Sequence, residues 1–228
     1  MTTILALEAS ADACSVALLQ KGCVQQRFEL APRQHTRLML PMVNELLAQQ
    51  GCQLSDVDVF AFGAGPGSFT GLRIAVGLVQ GFAFALDRPV VAVPSLHGLA
   101  MTALREYDIP VGQRLAVAID ARMDEIYWAT FGITDRGPLA VGPVSVVPLA
   151  QLPAVEAGFI AIGNAWSLPE MSVLAGDAAE VYADLSPQAQ DLIPLAQARF
   201  EAGEFTSAAE AVPDYVRNTV SWKKLSEQ

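Results

Sequence analysis

The segment GAGPGSFTGLR, residues 63–73, sets four glycines and a proline between a strand-like run and a helix-like run. Glycine-freed N–H groups at a helix start, with the hydroxyls of Ser68 and Thr70, could hold a phosphate that the helix dipole favours. The strict templates are not met. Gly71 is followed by Leu72 and Arg73, where a P-loop needs Lys and Ser or Thr, and Gly65 and Gly67 are followed by Ser68 and Phe69, which breaks GxGxxG. Pro66 and Thr70 stand where a nucleophile elbow around Ser68 needs glycine. A tight turn whose glycines permit unusual φ and close packing explains the same pattern. Pattern alone leaves both readings open.

Acids for proton transfer, or for holding Mg²⁺ through water, exist as Glu8, Asp12, Asp120 and Asp124. Acids at tight turns also bond the local backbone, the preferred reading for Asp12 and Asp124. His35 and His97 have no second histidine three or four residues away, and Met39 and Met101 stand four residues after them. Each reads as a structural or capping residue, and no metal site is expected. Without paired histidines or HExxH, a metallopeptidase is not the expected reading. Cys14, Cys23 and Cys52 are odd in number and form no CxxC, so neither a disulfide framework nor a zinc ribbon is suggested.

These residues need elements to carry them. TILALEA, CSVALLQ and CVQQRFEL read as three short strands. HTRLMLPMVNELLAQQG reads as a helix with Thr36 as a candidate N-cap, a kink at Pro41 and a stop at Gly51. VDVFAFG suits a strand covered on both faces. Helices follow at about 70–86 and 95–106, with a strand at PVVAVPS between them. RLAVAIDA and EIYWATFGI make a further strand pair, residues 137–155 an extended proline-rich connector, and FIAIGN one more strand. SPQAQDLIPLAQARFEAGE reads as a broken helix, and PDYVRNTVSWKKL has no clear period.

The order is that of an α/β layered fold with mixed sheets. LALEASAD (5–12) can be laid on VAIDARMD (117–124): each is an apolar strand ending in an acid and Ala, with a second acid four residues after the first. That echo suggests two related lobes, 1–105 and 106–228, the second reduced.

Net charge is −10, and the one dense basic spot is Lys223 with Lys224, so autonomous nucleic-acid binding is not expected. The first residues lack a signal peptide's basic start and carry Glu8 and Asp12. The longest apolar helical stretch, 74–86, is 13 residues, short of the roughly 20 that span a bilayer. A cytoplasmic protein without a membrane segment is the expectation. The helix RIAVGLVQGFAFAL is apolar nearly all round, with Gly77 and Gly81 four apart, so it is either sandwiched in the core or shared with a neighbour.

ILALEASADACSVAL, RQHTRLMLPMV, GAGPGSFTGLRIAVGLVQGFA, VAIDARMDEIYWA and YVRNTVSWKKL, in this order, resemble the TsaB (YeaZ) family. That resemblance implies the two-lobed actin/sugar-kinase/Hsp70-type (ribonuclease H-like) fold, with mixed β-sheets flanked by helices. It implies a non-catalytic scaffold subunit that activates TsaD to form N6-threonylcarbamoyladenosine at position 37 of tRNAs reading ANN codons. TsaE, an ATPase, and a separate synthase complete that machinery, and tRNA is reached only through the complex. It also implies a homodimer, and contact with TsaD through the two helices. The contact residues would be His35, Leu38, Met39, Met42, Gly67, Phe69, Thr70, Arg73, Val76 and Gln80.

In the transferase relatives a HLxGH helix carries the metal. Here SLHGL puts Ser95 and Leu99 at the ligand positions, which supports a pseudo-enzyme. Relatives read I-D-T-[AS] in the first hairpin, where this chain has Leu7-Glu8-Ala9-Ser10. Glu8, Gly65, Gly67, Ser68 and Asp120 then make a vestigial phosphate loop. No cofactor is expected beyond weak nucleotide binding. The alternative is an active small-molecule kinase or ATPase of the same superfamily.

Overall fold

Short β-rich runs, near-continuously apolar in the first two, build the first sheet. In the computed structural model, which describes residues 1–216, these are β1 (Ile4–Glu8), β2 (Ala13–Gln20) and β3 (Cys23–Leu30), joined antiparallel. Lys21 and Gly22 turn the second hairpin at φ 52° and 80°, the two-residue loop whose twist matches its strands. Helix α1 (His35–Gln49) leads to β4 (Val59–Gly65), buried at all seven positions and parallel to β1. Helix α2 (Phe69–Leu86), β5 (Val90–Pro94) and α3 (Ser95–Glu106) follow. The sheet order is β3-β2-β1-β4-β5.

The second sheet contains β6 (Arg114–Arg122), β7 (Glu125–Thr134), β8 (Gly137–Ala140), β9 (Ser145–Pro148), β10 (Ile160–Ile162) and, after the one-turn α4 (Ser172–Ala175), β11 (Glu180–Tyr182). Its order read from the other end, β8-β7-β6-β10-β11, repeats the first sheet's, with the same succession of two antiparallel and two parallel pairings. The echo between residues 5–12 and 117–124 is therefore matched by a repeated topology.

Three sequence expectations need correcting. The proline-rich connector is partly sheet: β8 and β9 both pair with β7. Pro138 is tolerated because β8 is an edge strand, where a missing N–H faces away from the ladder. The broken helix is continuous: α5 (Ala189–Glu201) runs through Pro194. Burial of Ala189, Leu192, Ile193 and Ala196 outweighs the one backbone bond that Pro194 forgoes. Gln34, not Thr36, flanks the start of α1, and no side-chain cap is made.

The division near residue 105 separates the two sheets, but residues after 188 do not stay with the second. Leu5 and Leu7 of β1 point into a core shared with α1 and α2, while Ile4 and Ala6 meet α5 on the opposite face. Farther on, Thr206 bridges Val90, and Asp214 N–H donates to Ala64 O at 2.7 Å. A buried cluster ties α5 to α3. Asp191 accepts from Thr102 Oγ1 at 2.7 Å and from Arg105 Nε and Nη2 at 2.7 and 2.9 Å.

Helix α2 is longer than the apolar run the sequence suggests, and by length and composition it could cross a membrane. One face, with Leu72, Ala75, Val79 and Ala83, is packed on the first sheet instead. Of PDYVRNTVSWKKL, residues 213–216 are described; the remainder and Lys223–Lys224 lie outside the described residues.

Candidate functional site

The glycine loop lies against the turn of the first hairpin. A β-carbon at Gly63 would overlap the Glu8 carboxyl, one at Gly67 the Ser10 backbone, and one at Gly71 the Ala9 carbonyl. Close approach of two backbones is thus what these glycines serve. Two N–H groups that a phosphate would need are bonded inside the chain: Ser68 N–H to Ser10 O at 2.7 Å, and Gly71 N–H to Ser68 Oγ, the N-cap of α2, at 3.3 Å.

Glu8 is 1% exposed and bonds the same turn. Its Oε1 accepts from Ser10 N–H at 2.5 Å and its Oε2 from Ser95 Oγ at 3.2 Å, while Ser95 Oγ accepts from Gly65 N–H at 3.1 Å. Burial pushes the Glu8 carboxyl above the usual carboxylate range, against hydrogen bonds from Ser10 and Ser95 that pull the other way. The phosphate-loop shape is therefore filled by protein. The open space beside it is a cleft of about 340 Å³ between the starts of α1 and α2, lined among others by Asp12, Arg33, Thr36 and Thr70.

Asp120 is bound within the second lobe. Its Oδ1 accepts from Arg122 N–H at 2.8 Å, its Oδ2 lies 2.9 Å from the Arg122 guanidinium, and its own N–H donates to Asn164 Oδ1. The five residues assigned to a phosphate loop are thus not brought into one constellation. Glu8, Gly65, Gly67 and Ser68 form a packed knot, and Asp120 is engaged elsewhere.

His97 reaches the Pro138 carbonyl with Nε2 at 2.8 Å, so that nitrogen carries the proton, and its ring leans on Phe131. It pins α3 to the edge of the second sheet. Burial lowers its pKa, and the bond to Pro138 opposes that. Ser95, at the other end of SLHGL, belongs to the Glu8 knot, and Leu99 is in the second core.

The ten residues assigned to partner contact divide sharply. Met39, Met42 and Val76 are core residues, and His35 is 6% exposed, with Nε2 near the Ala11 and Ala13 carbonyls at 2.9 and 3.2 Å. These four are almost wholly buried. On helices apolar all round, composition does not say which face is inward. Leu38 and Gly67 are half-buried, and Gly67 is fitted to Ser10.

Phe69, Thr70 and Arg73 are exposed and Gln80 is half-buried. With Gly77, Gly81 and Phe84 they follow one side of α2. Phe84 is 82% exposed, and among the described residues nothing lies within 4 Å of a β-carbon built on Gly77 or Gly81. Phe84, which sequence reasoning missed, lies three residues beyond Gly81 on that stripe. The chain's own residues 211–215 border the face. Arg73 Nε donates to Tyr215 Oη at 3.3 Å and lies over the Phe69 ring at 3.8 Å, and Gln80 Nε2 donates to Ala211 O at 2.7 Å.

Among known proteins, the family model described as "TsaD: tRNA N6-adenosine threonylcarbamoyltransferase" matches residues 27–156. The "tRNA threonylcarbamoyladenosine biosynthesis protein TsaB" of Escherichia coli (strain K12) is 37% identical over 97% of each chain. That of Haemophilus influenzae is 35% identical over 98% of this chain and 97% of its own. The solved structure of YeaZ from Pseudomonas aeruginosa is 42% identical, with a TM-score of 0.84, over 94% of this chain and all of that one.

Proposed function

The chain belongs to the TsaB (YeaZ) family, and from that premise we propose that it is a non-catalytic subunit of a tRNA threonylcarbamoyl-transfer machinery. It binds and activates TsaD through the outer face of α2. The transferase then forms N6-threonylcarbamoyladenosine at position 37 of tRNAs reading ANN codons, with TsaE as a further partner. This chain meets tRNA only within the complex, in the cytoplasm.

One observation carries the reading: the notch at Gly77 and Gly81. Glycine inside a helix costs about 1 kcal/mol relative to alanine, and no neighbour among the described residues requires either residue to be small. A notch flanked by the exposed Phe69 and Phe84 suits the close approach of another helix. The same face would serve a homodimer when TsaD is absent. The filled Glu8 knot supports a chain that no longer performs phosphate chemistry, with nucleotide binding at the residual cleft weak.

Reconstitution tests the proposal. TsaD, TsaE, the synthase and tRNA should yield modified adenosine only when this chain is added, and Gly81→Leu should fail to restore it. Turnover of ATP or modification of tRNA by this chain alone would overturn the proposal in favour of a kinase or ATPase.

A further inference from the structure

Strand β3 ends the order of the first sheet, and its outer edge carries exposed apolar side chains: Val24 at 39%, Phe28 at 44% and Leu30 at 67%. Exposed apolar edge strands template pairing with another chain unless something blunts them. Helix α1 flanks β3 on one face, where Arg27 meets Glu45 at 3.4 Å. Helix α5 flanks the other, where Gln26 Nε2 donates to Gln188 Oε1 at 2.8 Å.

The hairpin fixes which backbone groups point outward. Gln20 and Cys23 close the two-residue loop and so exchange hydrogen bonds. Alternation then turns Cys23, Gln25, Arg27 and Glu29 toward β2, and the bond from Ala31 N–H to Asp12 O keeps the same phase. The N–H and C=O groups of Val24, Gln26, Phe28 and Leu30 face outward.

We propose that β3 is a second homodimer surface, on which two copies of this chain pair their β3 edges antiparallel about a two-fold axis at Phe28, making one continuous sheet. Charge selects the register. A two-fold at Phe28 pairs Phe28 with itself and Gln26 with Leu30 through outward backbone groups. It sets Arg27 across from Glu29 of the other copy, twice. A two-fold at Arg27 would instead face two guanidiniums, and one at Gln26 would leave both charges opposite neutral residues. The contact with Glu45 engages one Arg27 nitrogen and leaves guanidinium donors for the second carboxylate. The second copy would also close the groove of about 410 Å³ between β3 and α1, lined by Arg27, Phe28, Leu38 and Met42 among others. This surface lies apart from the α2 notch.

The test is sedimentation of the whole chain carrying Gly81→Leu, which removes the helix-face dimer and leaves β3 untouched. A dimer is expected at roughly 100 µM protein. Arg27→Glu and Glu29→Arg should each weaken it at least about tenfold, because each sets like charges across the two-fold twice. Mixing the two variants should restore dimer, since every such pair is then opposite in sign. A monomer at that concentration, or a dimer indifferent to both substitutions, would overturn the proposal. So would two weakened variants that fail to rescue one another. None of these results touches the α2 notch, which the Gly81→Leu reconstitution tests separately.

Discussion

Replacing Gly77 and Gly81 together by alanine should make the isolated chain more stable and its complex with TsaD weaker. Both glycines lie inside an 18-residue helix, and among the described residues a β-carbon at either meets nothing within 4 Å. The gain is then helix propensity alone, about 1 kcal/mol each and about 2 kcal/mol together. For a chain of this size that raises Tm by about 4–8 °C. In the proposed complex the same two methyls would enter a contact shaped for their absence. Overpacking of that kind costs about 1–3 kcal/mol, or roughly a 5- to 150-fold weaker Kd. Calorimetric melting of the free chain and titration with TsaD read the two effects. A fall in Tm would mean that the space is used inside the chain. Unchanged affinity with a raised Tm would mean that the partner sits elsewhere.

Three further outcomes follow from buried polar groups. Glu8 has a raised pKa, so its contribution is fully present below about 4.5, the unfolded value, and is lost as pH rises through the folded one. Glu8→Gln should therefore gain on the parent chain as pH rises above about 4.5 in urea melts, and an advantage that grows toward acid would contradict this. His97 has a lowered pKa, so the stability it gives as a neutral ring is lost as pH falls below about 6.5. His97→Gln should flatten that acid-side decline, and an unchanged slope would place its origin elsewhere. Arg105→Ala leaves Asp191, 5% exposed, with Thr102 alone of the two groups that bond its carboxylate. It should cost about 3 kcal/mol, the low end for breaking a buried pair because Arg105 is partly exposed; a loss below 1 kcal/mol in denaturant titration would refute the latch.

Local patterns made most of the first lobe legible. Strands at residues 4–30 are short β-rich runs set off by turn residues, and the helices at 35–49, 69–86 and 95–106 stand out as longer apolar runs between them. What the pattern hid was either edge structure or long-range return. Pro138 and Pro148 disguised two strands that each need only one paired side. Pro194 suggested a break that tertiary burial overrides. The site was legible in type and misjudged in facing. Met39, Met42 and Val76 are as apolar as surface contacts would be, yet they point inward, while Phe84 and the two open glycines point out. Arginine at Met42 or Val76 would damage the core rather than probe a surface. In the knot, the glycines were visible as glycines. The carboxyl and hairpin backbone that they make room for lie more than 50 residues earlier in the chain.

The return of α5 to the first sheet bears on how the chain is made. Ile4, Ala6, Val59 and Val93 have no cover on one side until Leu192 and Ile193 arrive. On the ribosome, the opening strands must wait through the whole of the second lobe before that face can close. A fragment released near residue 105 would leave it bare and prone to clump, so this architecture favours full-length synthesis over stepwise assembly from its N-terminal half.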